Sequence, residues 1–198
     1  MPTTFIELPA NLDSRRKRWT RSEYDELYAS ALLDGQRLEL VEGDLIDKMG
    51  KKRPHVISLN LLQGWLIQVF GVRRVNPGAS IDVAPEDNPS NEPEPDLIVL
   101  KRDLSDFTKE NPGPEDLELV VEVADFTLWF DLTTKAALYA RAGIVEYWVP
   151  DVAGRRLIVH RDPQAGKYAS VAAYSEEESV APLAAPESLL QVRDAFPE

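Results

Sequence analysis

Asp96 after Pro95, Glu122 inside the run Leu119-Val120-Val121-Glu122-Val123, and Lys135 between Asp131 and Tyr139 have the types and spacing to do chemistry. Both acids sit in apolar, β-prone runs, 96–100 and 117–124. A charge inside a buried strand is costly unless it is paired or bound to a cation. Hard oxygen ligands for Mg2+ or Mn2+, with a lysine nearby, are the most economical reason to place acids there. A cation held in that way polarises a phosphodiester and lowers the pKa of a bound water. A neighbouring lysine positions that water or offsets the charge developing on the phosphate.

Each residue also has a plainer reading. Pro-Asp is a common entry into a strand. Glu122 could be a core acid hydrogen-bonded to tyrosine or backbone groups. Asp131 and Lys135 are four apart and share a helix face, which alone describes an ordinary surface pair, and Asp131 could simply cap the helix.

The elements that must position these residues follow from pattern. Thr20-Arg-Ser-Glu23 is a capping box and opens an amphipathic stretch to about Leu33, with Tyr24, Leu27, Tyr28, Ala31 and Leu32 on one side. Glu42-Gly43-Asp44 between two apolar runs signals a hairpin. Pro54 suits the first turn of a helix running to about Phe70, with Ile57, Leu61, Leu62, Trp65, Leu66 and Val69 as its apolar stripe. Short strands are expected near 73–75 and 79–83, then a loop rich in proline and acids to Pro95. Strands at 96–100 and 117–124 follow, the second showing little alternation, as for a central strand covered on both faces. A helix from about Leu132 to Arg141 closes at Gly143, and strands are expected at 145–149 and 156–160. The tail from Ala172 has no clear pattern. The order predicts α/β or α+β with a mixed sheet.

The 198 residues fit one domain: an N-terminal arm over 1–19, then a single domain over 20–198. There is no cysteine, which excludes disulfides, zinc thiolates and a cysteine nucleophile, and the two histidines, His55 and His160, exclude a histidine-rich metal site. No basic-then-apolar leader and no apolar run of membrane-spanning length stands out, so a cytoplasmic location with no membrane partner is expected. The net charge of −12 argues against non-specific nucleic-acid binding. Bases nevertheless cluster at Arg15 to Arg18, at Lys48 with Lys51 to Arg53, and at Arg73-Arg74, leaving room for a locally positive cleft.

Pro-Asp, an acid in an apolar strand, then lysine is the pattern of the PD-(D/E)XK nuclease superfamily. Within it the chain resembles the Uma-two family of restriction-endonuclease-like proteins, widespread in bacteria. Five stretches carry the likeness: 37–43, His55 at the start of the first long helix, Glu94-Pro-Asp-Leu97, 116–123 with Asp131 and Lys135, and 139–151. The resemblance covers roughly residues 20 to 162. It implies a restriction endonuclease-like core in which Asp96 and Glu122 bind the metal. The superfamily's usual lysine would stand at Ala124, and the resemblance moves that role to Lys135. Glu39 matches an acid that completes the site. His55 matches a recurrent histidine whose role is open between phosphate contact, support of a metal ligand and helix packing. Asp131 and Asp125 are placed as supporting or substrate-touching residues. Ala124-Asp-Phe-Thr127 departs from the serine-proline-serine of many relatives, and Phe126 and Trp129 make the loop unusually apolar. Such aromatics could pack on a base or sugar or form a dimer contact, and contact or packing is the preferred reading because aromatic residues are enriched at protein interfaces.

The reading that follows is an Mg2+- or Mn2+-dependent endonuclease hydrolysing DNA, with a homodimer or higher oligomer left open. The alternative is a catalytically silent nucleic-acid- or protein-binding module that keeps the nuclease fold.

Overall fold

The computed structural model describes residues 16–48 and 52–197. The arm expected over 1–19 lies outside the described residues up to position 15, as do Lys51 and Arg15 of the basic clusters. Thr20 caps α1 (Arg21–Ala29): its hydroxyl accepts from the Glu23 N–H while the Glu23 carboxylate accepts from the Thr20 N–H. The helix stops short of the expected Leu33. Ser30 Oγ donates to the Leu27 carbonyl, and Ala31 turns left-handed at φ 60°. Only Tyr24 of the expected apolar side is buried, and Leu32 is 70% exposed, because among the described residues no second layer covers that face.

Strands β1 (Leu38–Val41) and β2 (Asp44–Asp47) form an antiparallel hairpin of their own. Its two turn residues, Glu42 and Gly43, have φ of 52° and 76°, the type I′ geometry that matches strand twist. The φ of Gly43 favours glycine, and a Cβ there would also stand 3.1 Å from the Arg18 Cβ, a tight contact that Arg18 would have to relieve. Helix α2 (Arg53–Phe70) carries Pro54 in its first turn. Its buried face holds His55, Ser58, Leu62 and Leu66, whereas Ile57 and Leu61 of the expected stripe are exposed.

The main sheet has six strands in the order β3-β4-β5-β6-β7-β8: β3 (Val75–Pro77), β4 (Leu97–Leu100), β5 (Leu117–Val121), β6 (Glu146–Asp151), β7 (Arg156–Gln164) and β8 (Lys167–Tyr174). Neighbours run antiparallel except β5 and β6, which are parallel and joined by helix α3, residues 128–141. This is the mixed α+β sheet the pattern predicted. A short pair, β9 (Ser179–Val180) with β10 (Leu190–Gln191), leads into a 3-10 turn, Val192–Ala195, that packs on α2 through a bond from Ser58 Oγ to the Ala195 carbonyl of 2.6 Å.

The expected strand at 79–83 does not form, although Ile81 and Val83 are buried. Its amides go to the carbonyls of Pro93 and Pro112, and prolines can return no N–H to complete a ladder. Successive residues of β4 face opposite cores. Leu97 and Val99 meet Leu62 and Leu66 of α2, and Ile98 and Leu100 pack in the core of Leu138 and Tyr139 of α3. Burial on both faces explains the unbroken apolar runs. No helix among the described residues is long and apolar enough to cross a membrane.

Candidate active site

The two strand acids meet at one end of the β4–β5 ladder. The last paired residues there are Leu97 and Val121, so Asp96 and Glu122 each lie one position beyond the pair. The sequence placed both inside strands; the structure places Asp96 just before β4 and Glu122 just after β5. The reason is visible. Asp96 Oδ2 accepts the Val123 N–H at 2.9 Å, substituting a side chain for the next ladder bond. On its other side Glu122 keeps its strand conformation against β6, with its N–H to the Trp148 carbonyl at 3.1 Å.

Lys135 comes from the middle of α3. Residues Asp131–Lys135 form a π turn within it, and the Ala136 N–H reaches the Asp131 carbonyl. An i,i+4 α-helical face was expected for Asp131 and Lys135; the wider turn instead buries both, each 3% exposed. Lys135 Nζ donates to Glu122 Oε1 at 2.7 Å and lies 2.8 Å from Glu39 Oε1 and 3.0 Å from Glu39 Oε2. Glu39, on β1, also accepts the Glu94 N–H at 3.1 Å, which ties the hairpin to the approach to β4.

The structure thus brings Glu39, Asp96, Glu122 and Lys135 together, all buried, along a cleft of about 120 Å³ also lined by His55, Asp125 and Asp131. His55 Nε2 stands 3.5 Å from Asp96 Oδ2 and is a buried nitrogen with no hydrogen-bond partner among the described residues. Asp131 accepts from the Thr127 hydroxyl at 2.5 Å, and Asp125 is half-buried at the rim. Two contributors, Tyr139 and Thr127, escaped sequence reasoning, while Lys48 comes from one of the expected basic clusters. Tyr139 donates to Glu122 Oε1 at 2.8 Å, a role that its i,i+4 spacing from Lys135 could have signalled. Lys48 lines the cleft while donating to the Glu94 carbonyl at 2.5 Å. Thr127 had no legible signal.

Charge in this cleft is unbalanced. Burial raises the Glu122 carboxyl to about 8, with Lys135 opposing the rise and Glu39, Asp131 and Asp96 adding to it. Burial likewise lifts Asp131 to about 6, against the pull of Lys135 and the Thr127 bond. Burial alone would lower Lys135, but Glu122, Glu39 and Asp131 outweigh it and hold the ammonium charged. Burial also pushes the Tyr139 phenol well up, so it stays a donor. Oxygen-only acids in excess of their cations suit a hard divalent ion. Among the described residues no three acidic or histidine side chains converge as a ready-made cage. Two carboxylates with water filling the remaining positions is the arrangement Mg2+ commonly adopts, and Asp96 and Glu122 fit it.

Comparison with known proteins bears on the fold and the family. A structural neighbour from Anabaena variabilis, described as a "putative nuclease belonging to DUF820", superposes with a TM-score of 0.63 at 16% identity, covering 81% of this chain and 90% of that one. At that identity the likeness speaks for a shared fold. Comparison with curated proteins gives no match. The family model described as "Putative restriction endonuclease", Uma2, matches residues 21–193, from the first helix to the 3-10 turn behind α2 and across every strand of the sheet. The chain is a member of the Uma2 family.

Proposed function

We propose that the chain is a metal-dependent endonuclease that hydrolyses DNA phosphodiester bonds. The observation carrying this reading is the buried excess of acid around one charged lysine, at the ends of two paired strands and open to a cleft. Membership of the Uma2 family supports it. Asp96 and Glu122 would hold Mg2+ or Mn2+, which when bound neutralises phosphate charge and lowers the pKa of water. Lys135, kept charged by Glu122 and Glu39, offsets the charge that grows on the phosphate oxygens. Glu39 anchors Lys135 from the opposite wall and stands ready to orient water or metal. Tyr139 and Lys135 together fix Glu122 Oε1. Both of these donors go to Oε1, and among the described residues no donor is seen on Glu122 Oε2, which suits that oxygen to ligation.

The test is incubation of the purified chain with supercoiled plasmid and Mg2+ or Mn2+, following nicked and linear products. Asp96→Ala and Lys135→Ala are each expected to slow cleavage at least ~100-fold. Cleavage that persists unchanged in both variants overturns the assignment. Calorimetric titration with Mn2+ is expected to show binding that Asp96→Ala weakens. No uptake at millimolar Mn2+, together with no cleavage, would leave the chain a binding module on a nuclease fold.

A further inference from the structure

Two aromatic side chains in the segment that follows Glu122 are largely exposed among the described residues. Phe126 is 65% exposed and lines the cleft; Trp129, in the first turn of α3, is 79% exposed. Both follow Glu122 within seven residues, so the segment that carries the acid also carries the rings. From the opposite wall Lys52, at the start of α2, places its ammonium 3.9 Å from the Phe126 ring centre. Exposed aromatics cost solvation and contribute nothing to the core, and a cation beside one of them completes a surface with both a π-face and a positive charge.

The size of the site sharpens this. The residues that would act on a phosphodiester are at most 5% exposed, at the bottom of a cleft of about 120 Å³. Sites that enclose a whole drug-sized ligand span roughly 300–1,000 Å³. A cleft of this size suits a phosphate better than a whole nucleotide, which would leave the base beside Phe126 and the exposed turn that carries Trp129. A stacked base pair in a duplex cannot lie flat against those rings, but an unpaired base can. The net charge of −12 works in the same direction, because duplex affinity depends heavily on phosphate neutralisation whereas stacking does not.

We infer that Phe126, Trp129 and Lys52 form a stacking platform for an unpaired base, so that the preferred substrate is DNA with a single-stranded or frayed segment at the scissile phosphate. This rests on the endonuclease reading for its chemistry, but it is tested by binding. A fluorescein-labelled 20-nucleotide oligothymidylate and a 20-base-pair duplex are each titrated in Ca2+, with anisotropy and intrinsic tryptophan emission followed together. Trp129 is the most exposed of the four tryptophans, Trp148 being fully buried and Trp19 and Trp65 partly so.

The expected result is tighter binding of the single strand, accompanied by tryptophan quenching that Trp129→Phe removes without loss of affinity. Phe126→Ala and Trp129→Ala are each expected to weaken the single strand about tenfold and the duplex little. Equal affinities for the two DNAs, or unchanged single-strand affinity in both alanine variants, would overturn the inference. So would a wild-type dimer in sedimentation that Trp129→Ala dissolves while oligonucleotide binding stays the same, since the rings would then serve a second copy of the chain. Single-strand binding with quenching but no Mg2+-dependent cleavage would uphold the platform and sink the nuclease reading. Cleavage of duplex plasmid unaffected by either ring would do the reverse.

Discussion

Glu122 and Glu146 are both buried acids on the one parallel strand pair, and their surroundings are opposites. Glu146 begins β6 and is fully buried. Its Oε1 accepts from Trp148 Nε1 at 2.9 Å and from Arg161 Nε and Nη2 at 2.8 and 2.6 Å, and its Oε2 accepts the Leu183 N–H at 2.7 Å. Its charge and its lone pairs are accounted for, by a guanidinium fork above all. Glu122, just past the end of β5, receives Lys135 and Tyr139 on a single oxygen and shares its cleft with three further buried acids. A satisfied buried acid stabilises a fold. One left in acidic company is retained for something that arrives later, which is why the second, not the first, marks the candidate site.

The contrast can be broken most forcefully from the structural side. Arg161→Ala strands a fully buried carboxylate, and a loss of about 3–5 kcal/mol in urea denaturation is expected. Lys135→Met removes the corresponding cation from Glu122, yet the stability cost is expected to be roughly half as large, because Glu122 is already poised to take a proton. The same substitution is expected to slow cleavage about 100- to 1,000-fold. Equal stability losses for the two variants would erase the distinction.

Glu122→Gln probes the penalty directly. The folded carboxyl titrates near 8 and the unfolded one near its ordinary 4.5, so the native state binds the extra proton between those values. Stability from this group is therefore present below pH 4.5 and lost as pH rises toward 8. In metal-free protein the glutamine variant is expected to lack that decline, gaining on the order of 1–3 kcal/mol over wild type at the alkaline end. Thermal denaturation across the window measures it, and parallel profiles would contradict the pKa assignment. Tyr139→Phe is the smallest change. Loss of one hydrogen bond to Glu122 is expected to cost about 1 kcal/mol and to raise the Glu122 pKa further, visible by carboxyl NMR titration.

Much of this was legible because some residues admit few conformations. Thr20 and Glu23 specify a capped helix start, Glu42-Gly43 a tight hairpin, and Pro54 a first helical turn, each through local chemistry. Asp96, Glu122 and Lys135 were legible as a set because charged residues within apolar runs require partners. What escaped depends on distant chain. The side-chain bond from Asp96 to Val123 shortens both strands, and nothing in either run announces it. The π turn at Asp131–Lys135 contains neither glycine nor proline and arises only where burial draws both ends inward. Ile81 and Val83 alternate as a strand should, but the Ile81 and Asp82 amides go to proline carbonyls 12 and 30 residues away and the Val83 N–H goes to the Asn88 side chain.

The hairpin that supplies Glu39 stands apart from the main sheet. Its backbone reaches the loop before β4 through the Leu40–Glu92 bridge and the bond from the Gly43 N–H to the Ser90 carbonyl; Tyr24, Leu38 and Leu40 form a small apolar cluster, while Val41 packs in the core with Ile98 and Val120. A two-stranded unit has little stability of its own, so its amides are expected to exchange faster than those of β4 to β7. Opening lifts Glu39 from Lys135 across a separation of 96 residues without disturbing a single rung of the six-stranded ladder. The amides of Glu92 and Glu94, held by Leu40 and by the Glu39 side chain, report that opening in hydrogen exchange. Exchange at these two amides as slow as in β5 would show that the wall pinning the lysine belongs to the rigid frame of the molecule, and faster exchange would mark it as a separate unit of stability.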